Sequence, residues 1–176
     1  METFTEFKPL VNNPYFLQQR EKVLNQLDFN AIDAPIKDII KDFSTLPYCF
    51  TLQCCCGHFL YNNQKNPQNI EPLPNLDNIS KVEYRIAYIA LCIRNNQKGR
   101  MLFQKLKKIQ SIDPKYVQFC CADWFWKRQV NSYALQVEPE RYKTKDKITI
   151  NFQEALHIEN VRNEFFRRIE KIFDIV

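Results

Sequence analysis

The sequence predicts an α+β domain, a mostly antiparallel sheet packed by helices at both chain ends, and three observations carry that prediction. Helical spacing of apolar residues marks both ends of the chain, at Phe16, Val23 and Leu27 and again at Ile158, Val161, Phe165, Ile169 and Ile172. Alternating or continuous apolar runs fill the middle, at 50–54, 84–93, 116–126 and 132–137. With only two glycines, the chain has no Gly-rich nucleotide loop, which sets aside a dinucleotide fold or a P-loop. A length of 176 residues fits one domain spanning 1–176, and an aromatic content of 14% supplies the large side chains of a packed core.

The first helix is expected from about Pro14 to Leu27. Asp33 reads as the N-cap of a second, with Pro35 in its first turn, Ile36, Ile39, Ile40 and Phe43 as its apolar stripe and Pro47 as its stop. Phe50-Thr51-Leu52-Gln53-Cys54 alternates as a half-buried strand that should end at Gly57. Residues 62–80 are rich in Asn and Pro and read as a long loop, either a mobile lid or an insertion. Tyr84 to Ile93 suits a central strand covered on both faces. A helix follows from about Gly99, striped by Leu102, Leu106 and Ile109 and closed by Asp113-Pro114. Tyr116–Trp126 and Ser132–Val137 form an antiparallel hairpin with a loop at 127–131, and Phe152–Phe173 is a long closing helix.

The N-terminus has no basic-then-apolar leader and no run reaches a membrane span, so a cytoplasmic protein without membrane contact is expected. Seven cysteines, three of them consecutive, are then free thiols. The net charge of +5 permits nucleic-acid binding without demanding it. The densest basic stretches are Arg100, Lys105, Lys107 and Lys108, and Arg162, Arg167, Arg168 and Lys171, for which a solvated helix face is the alternative.

Cys54-Cys55-Cys56-Gly57-His58 is the most unusual local feature. In a regular strand Cys54, Cys56 and His58 share one face while Cys55 points to the other, which suggests thiolate and imidazole ligands for zinc, with Cys120 or Cys121 as a fourth. No knuckle-type pair of pairs is present, however, so no metal ligand is assigned. Small cysteines filling a tight sheet core is the plain alternative, and a Cys–His nucleophile, with His58 lowering a neighbouring thiol pKa, is the third. Catalytic candidates are His58, Cys55 and Asp123, and cofactor-binding candidates are Gly57 and Cys56, whose amides suit an anion or cofactor carboxylate. Trp124, Trp126, Lys127 and Arg128 combine ring faces with cations and suit stacking on unpaired bases. Glu138 and Glu140 read as surface salt-bridging groups and His157 as a satisfied helix-face histidine.

Ile32-Asp33-Ala34-Pro35-Ile36, followed by Phe50-Thr51-Leu52-Gln53-Cys54-Cys55-Cys56-Gly57-His58, resembles the opening of the third wybutosine-synthesis protein family. Members of that family are tRNA methyltransferases acting on a hypermodified guanosine beside the anticodon. Cys55 and Gly57 match the Cys and Gly of its Thr-Ser-Ser-Cys-Ser-Gly-Arg pattern; Gln53, Cys54 and Cys56 stand at its serines and His58 at its Arg. The resemblance implies S-adenosylmethionine as cofactor and tRNA as partner. Two classes stay open at this point: a nucleic-acid-modifying enzyme centred on Cys55, Gly57 and His58, and a non-catalytic module whose aromatic hairpin meets a protein partner.

Overall fold

The structure, a computed structural model, describes every residue except 1–3, 6, 63, 65–71, 75–78, 143, 144, 146 and 174–176, and the backbone alone for Phe4 and Thr5. Its strands are β1 (Phe4–Thr5), β2 (Cys49–Leu60), β3 (Lys81–Ile93), β4 (Val117–Ala122), β5 (Ser132–Val137) and β6 (Lys147–Asn151). Its helices are α1 (Phe16–Gln26), α2 (Lys37–Thr45), α3 (Gln97–Ile109), α4 (Asp123–Arg128) and α5 (Phe152–Glu170). The class is α+β: every strand pairing among the described residues is antiparallel, in the order β1-β4-β5-β3-β2, with β6 also on β3.

Strand β3 is central because both its alternating sets are apolar. β2 lies along one edge, while β5 (opposite 87–92) and β6 (opposite 81–85) lie end to end along the other. One face carries the main core, where Ile89, Leu91, Tyr133 and Leu135 meet Leu102 and Leu106 of α3 and Ile158, Phe165 and Ile169 of α5. The other face carries a smaller cluster in which Phe16 of α1 packs on Phe50 and Cys92. Asn96 and Asn151 cap α3 and α5, their side chains accepting from the N–H groups of Gly99 and Glu154 at 2.8 Å each.

The sheet changes face at one level. Along β3 the core-facing residues are Val82, Tyr84 and Ile86 and then, with the parity switched, Ala87, Ile89, Leu91 and Ile93. Along β2 Cys54 faces that core before Gly57 and Phe59 after it, so the switch recurs at the same rung. Gly57 makes it feasible, holding φ at +82° in mid-strand. At this level β5 gives way to β6, and the Tyr84 hydroxyl covers the gap: it donates to the Val137 carbonyl and accepts from the Ala87 N–H, each at 2.9 Å.

Several expectations are corrected. Gly57 does not end its strand, which runs on to Leu60, so Cys55, Gly57 and His58 lie within a strand and not at a turn. Tyr116–Trp126 is not one strand: β4 stops at Ala122 and residues 123–128 wind into α4, although the antiparallel pairing with β5 is as expected. Asp33 makes no side-chain cap bond; Ala34–Ile36 is a 3₁₀ turn and the carboxylate is spent elsewhere. Most of the loop expected at 62–80 lies outside the described residues; within it Leu73 is buried and its N–H donates to Glu159 of α5 at 2.9 Å. No helix among the described residues is long and apolar enough to cross a membrane.

Candidate functional site

The pleat reversal at Gly57 decides which side chains meet. Residues three apart now share a face, so Cys55 and His58 converge, and Asp33 reaches them from the turn before α2. The ligand atoms of Asp33, Cys55 and His58 all lie within 4.8 Å of one another. Asp33 Oδ2 accepts the Cys56 N–H at 2.9 Å and stands 3.5 Å from His58 Nε2. That main-chain bond is what diverts the carboxylate from capping. Cys56 Sγ lies 4.0 Å from His58 Nε2, but Cys56 itself is sealed in the sheet. The side chains of His58 and Asp33 are 22% and 27% exposed, so the cluster opens to solvent on one side.

Behind the cluster sits a buried ion pair. Arg162 of α5 donates to the Gly57 carbonyl at 3.1 Å, lies over the Phe59 ring at 5.0 Å and pairs with Glu159 at 3.7 Å. The carbonyl beside the reversal is thus held from α5, while a Cβ on Gly57 would come within 2.8 Å of Ala87 Cβ. Gly57 is buried against its neighbouring strand, and its role is the backbone turnover it allows.

The thiols are all free, and those of the triple-cysteine stretch are made weaker acids by their surroundings. Burial first, and then the Asp33 carboxylate, push Cys54 up to about 11 and push Cys56 well above the ordinary thiol range. Cys55 is raised by burial, partly offset by the Gly57 backbone, with Asp33 raising it further. A nucleophilic cysteine needs the opposite shift, so burial and the Asp33 carboxylate both work against the Cys–His nucleophile of the third sequence reading.

Asp123 and Trp124 do not join this cluster. The order of strands sets β5 and β3 between β4 and β2, and the register aligns residue 123 with the Cys49 end of β2, roughly 30 Å along the strand from His58. Asp123 pairs with Lys8 at 2.8 Å. Trp124 stacks on Phe125 with centroids 3.9 Å apart and Arg128 over its ring at 5.2 Å, while Trp126 turns inward against Tyr133. Lys127 and Arg128 are exposed. A recess of about 290 Å³ lies between the end of α2 and α3, lined by Leu46, Tyr48, Met101, Leu102 and Phe173 together with Lys98 and Lys105, and no residue of either group lines it.

Of the remaining candidates, Glu138 is fully buried, not a surface group, and accepts from Gln136 at 2.6 Å. His157 is held as expected, 2.9 Å from Asp113 and edge-on to Tyr116. Sequence reasoning missed Arg162 and Glu159 as parts of the site's support. The signal was present: Arg162 falls at the i+4 position of a stripe running Ile158, Val161, Phe165 and Ile169, where a bare charge needs a buried partner.

No family model matches the chain, and neither does any curated protein. Among solved structures the fold is similar to that of the PH1069 protein from Pyrococcus horikoshii, at a TM-score of 0.50 and 9% identity, covering 91% of this chain and 93% of that one. At that identity the likeness concerns the fold.

Proposed function

We propose that the chain is an RNA-modifying enzyme of the methyl-transfer type, with tRNA as its partner and Asp33, Cys55 and His58 at the reacting centre. One observation carries the reading. The two separate segments of the family resemblance, 32–36 and 50–58, are in direct contact through the bond from the Cys56 N–H to Asp33. Their acidic residue and their Cys and Gly therefore belong to one local structure.

The donor set suits the implied cofactor, because a part-exposed carboxylate beside soft sulfur and imidazole favours a cationic sulfonium ligand. When bound, S-adenosylmethionine supplies an electrophilic methyl group. Attack by a ring nitrogen forms an N–C bond as the methyl–sulfonium S–C bond breaks and the thioether S-adenosylhomocysteine leaves, and the proton of that nitrogen passes to Asp33 or His58, the two groups placed to take it.

Helix α3 supports the partner class. It carries Lys98, Arg100, Lys105, Lys107 and Lys108 and no acidic residue, and among the described residues none of these five forms an ion pair. By contrast Arg167 and Arg168 of α5 are both taken by Glu164. An acid-free cationic face suits a phosphate backbone. Seven free thiols suit a reducing compartment such as the cytosol.

The test is incorporation of labelled methyl from S-adenosylmethionine into total tRNA. Label should enter RNA with the wild-type chain and fall at least tenfold for Asp33→Asn and His58→Ala, both of which should keep wild-type melting. Lys105→Glu with Lys108→Glu should weaken tRNA binding and flatten its salt dependence. A chain that neither binds S-adenosylmethionine in calorimetry nor labels any RNA overturns the reading and returns weight to a protein-interaction module.

A further inference from the structure

We infer that Asp33, Cys55 and His58 form a three-ligand site for a single divalent transition-metal ion, with zinc the best match. The inference deepens the reading above, since it concerns the same cluster and what that cluster holds.

The chemistry of the set points to zinc: one carboxylate, one thiol and one imidazole are the ligand types that ion prefers, whereas calcium and magnesium take oxygen alone. Tetrahedral zinc at its usual bond lengths sets neighbouring ligand atoms about 3.3–3.8 Å apart. His58 Nε2 and Asp33 Oδ2 are already 3.5 Å apart, and the full set lies within 4.8 Å, so closure asks for about 1 Å of side-chain movement. Three ligands leave one position open on the solvent side, the pattern of a catalytic ion as opposed to a closed structural one.

Support around the ligands is of the kind that metal sites need. Asp33 is oriented by the Cys56 N–H, and the strand between Cys55 and His58 is held in its reversed course by Arg162 on the Gly57 carbonyl. This differs from the set suggested by strand alternation, Cys54, Cys56 and His58: the reversal brings Cys55 to the imidazole, while Cys56 Sγ, 4.0 Å from His58 Nε2, is sealed in the sheet. On binding, the Cys55 S–H bond breaks, a sulfur–metal bond forms and the proton passes to solvent, with no change of oxidation state. Carboxylate and thiolate then balance the ion's two charges, so the loaded site is neutral and does not repel a cationic methyl donor beside it. With the ion bound, Asp33, Cys55 and His58 would hold it as a Lewis acid able to lower the pKa of a nucleobase nitrogen at the open position, whose proton would pass to solvent.

The experiment is titration of the reduced full-length chain with Co²⁺ in place of zinc. One equivalent should give the near-ultraviolet thiolate-to-cobalt charge-transfer band and the intense visible bands of a four-coordinate ion, both lost on adding Zn²⁺. Cys55→Ser should abolish the charge-transfer band, and His58→Ala and Asp33→Asn should weaken Co²⁺ binding at least tenfold. Cys54→Ser and Cys120→Ser should keep the spectrum. Should Cys55→Ser fail to fold, as read by circular dichroism, the cobalt-to-protein ratio of the wild type and the effect of Cys54→Ser still decide the matter. A band that survives Cys55→Ser, or no saturable binding by the wild type, overturns the site. Methyl transfer by chelated, cobalt-silent protein sinks the metal while sparing the enzyme; stoichiometric cobalt binding without methyl transfer or S-adenosylmethionine binding does the reverse.

Discussion

Gly57 concentrates the residue-scale argument. Its φ of +82° lies where a side chain is strained, and a Cβ there would press on Ala87, itself fully buried. Left-handed strain costs about 1–3 kcal/mol and overpacking about as much again. Gly57→Ala should therefore lower the unfolding free energy by about 2–4 kcal/mol in urea titration; an unchanged midpoint would show that the reversal does not depend on glycine. Gly99, the other glycine, is required for a different reason, since a Cβ would sit 1.9 Å from the Arg94 carbonyl oxygen. Both were conspicuous in the sequence by rarity, yet composition says nothing of what each abuts. Asp33 shows the same limit: an Asp before a Pro-containing first turn satisfies every local rule for a cap, and a main-chain N–H 23 positions away takes its carboxylate instead.

Elements follow local chemistry more faithfully. Helix α5 starts where Asn151 caps it and Glu154 stands three residues on, and its stripe seats Ile158, Phe165 and Ile169 in the core. Asn151→Ala should cost about 1 kcal/mol without altering the fold, measured by urea unfolding with unchanged circular dichroism. The exceptions are instructive. Strand β4 ends early because Trp126 packs inward on Tyr133 while Trp124 stacks with Phe125 and Arg128, an arrangement that a helical turn permits and a strand at that spacing does not. Such a turn of six residues is too short for periodicity to announce.

Across the whole molecule, burial raises the pKa of thiols and phenols that must stay neutral. Cys92 is pushed up by burial from 9.0 to about 12, and Cys49 is raised well above 9.0 by burial and then by Cys92. Tyr84 and Tyr133 are raised as well, chiefly by burial. A group whose proton is held more tightly when folded contributes stability that is intact below its unfolded value and is lost as the pH climbs through its folded one. Stability should be level near neutrality and decline above about pH 9, by up to about 1.4 kcal/mol per pH unit for each such group. Urea midpoints at successive alkaline pH values under reducing conditions check this, and Cys92→Ala should shallow the decline. Stability that rises above pH 9 would contradict the burial of these thiols.

By itself the amino-acid order determined the class of the fold, the two terminal helices, the central apolar strand, the pairing of the segment after Asp113 and the unusual thiol-rich stretch. These are properties of periodicity and composition, which neighbouring residues express without help from distant ones. What the tertiary structure alone decided is which of those thiols meets an imidazole and a carboxylate. That choice turns on a parity switch shared by two paired strands, on an arginine 105 positions away that holds the Gly57 carbonyl, and on an aspartate drawn off its helix. A change of one residue in pleat moves a side chain to the opposite face of a sheet, and no local pattern encodes it.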